Sequence, residues 1–115
     1  MVERAGFLEF VWLPTFEQTA KNLLDEENRR ELELALVANP GAGDTMPRTG
    51  GFRKLRWAAK GKGRRGGARI VYFYVANRET IYMLLAYGKG VKDDLTESER
   101  TELKKLAGII KQGRA

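Results

Sequence analysis

The chain has no cysteine and no histidine. No disulfide framework, thiolate nucleophile or Cys/His zinc site can therefore be built from it. Histidine general acid–base catalysis is excluded too, so any proton transfer must use lysine, tyrosine, arginine, a carboxylate or water. Long apolar runs are also missing. No stretch approaches membrane-spanning length, and residues 1–7 lack the basic end and apolar core of a signal peptide. The expectation is a cytoplasmic protein with no membrane contact, no metal and no cofactor. One further absence is local. From Thr45 to Arg78 there are ten Lys/Arg residues and not one Asp or Glu. Charge dispersed for solubility alone would include carboxylates, so this segment has the footprint of a surface that meets phosphate.

What is present fits a single domain spanning 1–115. Hydrophobic residues make up 43% of the chain, enough for one modest core. The formal net charge of +6 hides a polarised distribution. Residues 1–44 hold nine acids and four bases, net −5; residues 45–92 hold twelve bases and one acid, net +11; residues 93–115 balance at five and five.

Residues 7–13 form a short apolar run ending at Pro14, which predicts a strand. Thr15 and Gln18 fit a capping box, followed by Phe16, Ala20, Leu23 and Leu24 at helical spacing. A second helix is expected from about Asp25 to Val37, stopped by Asn39-Pro40-Gly41. Residues 41–51 read as a loop, 52–58 as a strand, 60–67 as a glycine-rich basic connection, and 69–76 and 80–87 as two strands. Thr96 with Glu99 forms another capping box, and Leu103, Leu106, Ala107 and Ile110 make the stripe of a last helix. The class expected is α+β: a small antiparallel β-sheet with an N-terminal helical hairpin and a C-terminal helix, the helices on one face.

Strand parity then groups the cations. Lys54 and Arg56 point the same way, with Leu55 and Trp57 opposite. Leu55 and Trp57 have core character, which leaves Lys54 and Arg56 on an exposed face. Arg69 opens the next strand, and a hairpin pairing brings it beside them. Tyr87-Gly88-Lys89 ends the following strand with a phenol and an ammonium. A cluster of Lys54, Arg56, Arg69, Tyr87 and Lys89 suits RNA cleavage by the ribose 2′-OH. Guanidinium groups match phosphate oxygens bidentately, and preorganised donors stabilise the charge that builds on phosphorus. Arg53 and the loop residues Lys60, Lys62, Arg64 and Arg65 are expected to contact RNA backbone phosphates.

The run Thr49-Gly50-Gly51-Phe52-Arg53-Lys54-Leu55-Arg56, the segment from Lys60-Gly61-Lys62 through Gly67-Ala68-Arg69-Ile70-Val71-Tyr72, and Tyr87-Gly88-Lys89 resemble the HigB-type branch of the RelE toxin superfamily. The resemblance implies a RelE-like fold and the toxin of a type II toxin–antitoxin system. It also implies a ribosome-dependent endoribonuclease that cuts mRNA in the A site and contacts rRNA, with a helix-turn-helix antitoxin as partner. It assigns the catalytic basic pair to Lys54 and Arg56, the phosphate-stabilising arginine to Arg69 and a further basic position to Lys89. Gly90 stands where many members have arginine, and no tyrosine follows Tyr87 in the chain. Two other readings share these features: a gyrase-directed, ParE-type toxin of the same fold, and a non-catalytic RNA- or ribosome-binding module.

Overall fold

Residues 68–75 hold Ile70, Val71, Tyr72, Phe73 and Val75 in near-continuous sequence, and such a run is stable only where both faces of a strand are covered. That is what the structure shows. The computed structural model describes residues 1–58, 67–88 and 95–113. Its elements are β1 (Val2–Ala5), β2 (Leu8–Trp12), α1 (Pro14–Ala20), α2 (Glu26–Ala38), β3 (Asp44–Thr45), β4 (Arg53–Trp57), β5 (Ala68–Val75), β6 (Thr80–Gly88) and α3 (Glu97–Lys111). The strands form one six-stranded sheet in the order β1-β2-β6-β5-β4-β3.

The α+β class stands, but three details differ from expectation. First, the sheet is mixed. β2 lies parallel to β6, with Phe10 opposite Ile81 and Trp12 opposite Met83, while the other neighbours are antiparallel. The chain crosses from β2 through both N-terminal helices before returning to the sheet, a connection that permits a parallel partner. Second, the helices cover both faces. Leu8, Phe10 and Trp12 of β2 pack with Phe16 of α1, Leu32 and Leu36 of α2, and Ile70, Tyr72, Ile81 and Met83 on one face. Phe52, Val71, Phe73, Val75, Tyr82 and Leu84 pack with Ala107 and Ile110 of α3 on the other. Third, the N-terminal helices are not a self-packed hairpin. α1 is only seven residues long and lies on β6, while α2 reaches β1.

Local chemistry explains the ends of these elements. α1 starts at Pro14, placed where its missing N–H costs nothing. The Thr15–Gln18 capping box is absent: Leu13 is the cap residue, and the Thr15 hydroxyl donates instead to the Leu84 carbonyl of β6. Asp25 caps α2, accepting from the Asn28 N–H at 2.8 Å. Thr96 and Glu99 form the expected reciprocal box at α3, at 3.1 and 2.8 Å. β1 was missed because Val2-Glu3-Arg4-Ala5 carries little apolar signal, and residues 7–13 proved to be only the second arm of its hairpin with β2.

Candidate active site

The register across β4, β5 and β6 builds the site. Arg56 lies opposite Arg69, and Arg69 lies opposite Tyr87, so three strands place these residues in one row. The adjacent row on the same face is Lys54, Val71 and Leu85. Strand alternation puts all of them on the α3 side of the sheet. Val71, Phe73 and Val75 pass beneath α3, whereas Arg69, of the same parity, lines a cavity of about 380 Å³ with Lys54 and Arg56.

Tyr87 reaches this face only because of an irregularity in β6. The pairing shifts between Val71 and Tyr72: Tyr72 faces Met83, Val71 faces Leu85, and Leu84 is extra. Ile81 and Met83 point to the α1/α2 face, and strict alternation would send Tyr87 there too. The bulge turns the strand over, so that Leu85 and Tyr87 join the α3 face while Ala86 joins the other core.

Asp44 is the functional candidate that the sequence reading missed. β3 pairs with the outer edge of β4, and Asp44 sits directly opposite Lys54. Its carboxylate lines the cationic cavity, the only one to do so among the described residues. The available signal was its position, as the last acid before the acid-free run. Tyr72 anchors this edge from the opposite face. Its hydroxyl accepts from the Gly43 N–H at 2.9 Å and donates to the Pro40 carbonyl at 2.8 Å. Burial pushes the phenol up, against the Gly43 hydrogen bond and the Arg53 charge, so it stays a hydroxyl.

The other predicted residues are distributed as follows. Lys54 is half-buried and Arg56 exposed, but Arg69 is only 5% exposed, unlike the open cation expected. Arg53 has the parity of Leu55 and turns to the opposite face, where its guanidinium donates to the carbonyls of Gly43 (2.7 Å) and Gly41 (3.3 Å). It is therefore separated from the cationic cavity. Trp57, also of that parity, packs against the α1/α2 core. Lys60, Lys62, Arg64, Arg65 and Lys89 lie outside the described residues. Gly67, where β5 is re-entered, has φ of 52°, and a Cβ there would come within 2.0 Å of the Trp57 carbonyl oxygen. Only glycine closes this hairpin next to Arg69. At the other end of β4, Gly50 (φ 81°) lets the turn press against Ala107 of α3.

A second cavity, of about 220 Å³, adjoins on the α3 side. Val71, Leu84, Leu85, Tyr87 and Leu103 line it, with Glu99 at the first turn of α3. A third, of about 280 Å³, lies at the far edge of the sheet between β1 and α2, where Glu3, Glu26, Arg29, Arg30 and Glu33 meet. No described helix is long and apolar enough to cross a membrane. Among the described residues no group of three or more acidic side chains gathers as a metal site.

A mixed sheet flanked by three helices, with Lys54, Arg56 and Arg69 gathered at the β4–β5 end, defines a small α+β domain. Residues 38–114 match the family model of the RelE toxin of the RelE/RelB toxin–antitoxin system, a span from the end of α2 through β3–β6 and α3. The chain belongs to the RelE toxin family, and is thus the toxin partner of a toxin–antitoxin pair.

Proposed function

We propose that this chain is a ribosome-dependent endoribonuclease of the HigB-type branch, cutting mRNA in the A site and so arresting translation. The observation that carries the reading is the Arg56–Arg69–Tyr87 row across three strands, with Lys54, Arg56 and Arg69 lining one cavity together with Asp44. Guanidinium and ammonium groups gathered around one cavity are suited to phosphate oxygens.

The chemistry follows from the residue types. The scissile phosphate sits against Arg56 and Arg69, whose planar donors bind its non-bridging oxygens. The ribose 2′-oxygen attacks phosphorus in line, a 2′,3′-cyclic phosphate forms, and the bond to the 5′-oxygen breaks. The 2′-OH proton needs an acceptor. An ammonium has none, whereas a carboxylate is acceptor-only, so we assign this role to Asp44, with Lys54 holding the ribose and phosphate beside it. Tyr87, next to Arg69 in the row, supplies the proton that the leaving 5′-oxygen takes up. Arg69 is held rigidly by burial, so its donors are already aimed when charge develops. Lys89 and the basic loop of Lys60, Lys62, Arg64 and Arg65 contribute further phosphate contacts, and Arg53 secures the β3 edge that carries Asp44. The cognate antitoxin is a helix-turn-helix protein, and the toxin acts in the cytoplasm.

The test is purified chain added to a translating extract, with mRNA ends mapped by primer extension. The reading expects cuts inside codons positioned in the A site, 5′-hydroxyl ends, and no cutting when the 2′-OH is replaced by hydrogen. Intact mRNA alongside inhibited gyrase would transfer the chain to the ParE-type reading. Ribosome binding without cuts would make it a binding module.

A further inference from the structure

We propose that the cavity between β6 and α3 is a nucleobase subsite, which takes one base of the RNA whose scissile phosphate occupies the neighbouring cationic cavity. The inference rests on the phosphodiester reading of that cavity and adds the place where RNA sequence is discriminated.

The strand register that sets the two cavities side by side carries the argument. Val71 and Leu85 line the apolar cavity, and Val71 is the direct cross-strand partner of Lys54. Neighbouring strands are ~4.8 Å apart, so the phosphate-facing row and the apolar wall are one strand step from each other. Tyr87 links them: it lines the apolar cavity and is the cross-strand partner of Arg69, which lines the cationic one. A nucleotide places its phosphate and its base on either side of one ribose, which is the spacing that two adjoining cavities require.

Size and chemistry narrow the occupant. The cavity holds about 220 Å³, less than the ~300–1,000 Å³ that encloses drug-sized ligands. It suits one flat ring system. Its walls are aliphatic, made deeper by the bulge that turns both Leu84 and Leu85 toward it, with the Tyr87 ring at one side. Aromatic and aliphatic walls suit the faces of a base. The polar group in the lining is Glu99, oriented by its hydrogen bond from the Thr96 N–H at 2.8 Å. A carboxylate accepts from an exocyclic amine, as in recognition of the cytosine amino group. The subsite therefore favours a base bearing an amino group over uracil. An aliphatic side chain from a protein partner would use the walls but not the carboxylate.

Two measurements test this. Methyl-labelled chain is titrated with cytidine 5′-monophosphate and with ribose 5-phosphate. Shifts at Val71, Leu85 and Leu103 with the nucleotide alone are the expected result; shifts absent there, or equal with both, overturn the subsite. This arm stands even if no RNA is cut. In the translating extract, cut sites of wild type, Leu103→Trp and Glu99→Gln are compared as ratios between bases, whatever the total rate. Leu103→Trp fills the cavity and is expected to flatten the preference about tenfold. Glu99→Gln keeps the capping box, since glutamine also forms it, and moves the preference toward uracil by roughly tenfold. Unchanged ratios in both folded variants overturn the proposal. So does loss of antitoxin neutralisation in Leu103→Trp with its cut pattern intact, which would give the groove to a protein. Wild type that binds the nucleotide as expected but never cuts counts against the nuclease reading and leaves the subsite standing.

Discussion

Two charged cavities lie at opposite edges of the same sheet, and they are built on different principles. At the β1 edge, arginine is consumed by structure. Arg29 sits 4.3 Å above the Trp12 ring and 2.7 Å from Glu17, and the Trp12 indole donates to Glu3 at 2.9 Å. Glu3, Glu26 and Glu33 line this cavity with Arg29, Arg30 and Met1. Burial, then the hydrogen bond and charge of Glu3, push Glu33 up to about 7. The hydrogen bond from Glu33, together with those from Trp12 and the charges of Arg29 and Arg30, holds Glu3 below its ordinary range. At the β3–β4 edge the proportion in the cavity lining reverses: Lys54, Arg56 and Arg69 line it with Asp44. At one edge an arginine is fixed by an ion pair and an aromatic ring; at the other, three cations line one cavity.

The largest expected effect breaks the comparison at the cationic edge. Arg56→Ala should lower mRNA cleavage by ~10²–10³-fold without altering the melting temperature, because Arg56 is exposed. Arg30→Ala, at the balanced edge, should leave cleavage unchanged in the same extract. Equal losses from both would show that net charge, not the row, drives activity. Arg69 needs a gentler change. Its burial makes Arg69→Ala a folding mutant as well as a site mutant, so Arg69→Lys, which keeps the charge and loses the bidentate fork, is the informative variant. It should lose ~10²-fold in cleavage with a near-normal melting curve.

Next in size is Asp44→Asn. Losing the proton acceptor should reduce single-turnover cleavage by roughly 10²-fold. Cleavage at the wild-type rate would move the base elsewhere. Tyr72→Phe probes the scaffold beneath Asp44. Without the hydroxyl, the Gly43 N–H is left buried and unsatisfied, which should cost about 1–3 kcal/mol in chemical denaturation and slacken the edge strand, with a secondary fall in cleavage.

The smallest effect sharpens the balanced edge. The folded pKa of Glu33 is raised above its ordinary 4.5 to about 7. Its contribution to stability is therefore complete below pH 4.5 and is lost as pH rises toward 7. Glu3, shifted down, contributes in the opposite sense: its stabilisation is complete above pH 4.5 and is lost as pH falls below that value. Glu33 is half-buried, so after solvent screening the loss is on the order of 1 kcal/mol. Glu33→Gln should remove that slope between pH 4.5 and 7 in denaturation curves, with no effect on cleavage.

Much of the cationic site was legible early, and the reason is local. The distance between Lys54 and Arg56 along a strand, and their shared face, depend only on the period of two. The glycine-bounded hairpin that sets Arg69 opposite Arg56 is likewise short-range. Arg53 shows the limit of the same rule. Its basic character placed it with the RNA contacts, although its odd parity relative to Lys54 already sent it to the other face.

Residue order by itself decided the α+β class, the capped α2 and α3, the acid-free segment and the pairing of basic residues along β4. These follow from backbone periodicity, capping chemistry and charge, which act over a few residues. Only the folded molecule decided that β2 runs parallel to β6, that helices cover both faces, that Asp44 stands across from Lys54, and that one extra residue at Leu84 turns Tyr87 toward Arg69. Those outcomes depend on which distant strands pair and in which register. That choice is made by burying two cores at once, so no local pattern contains it.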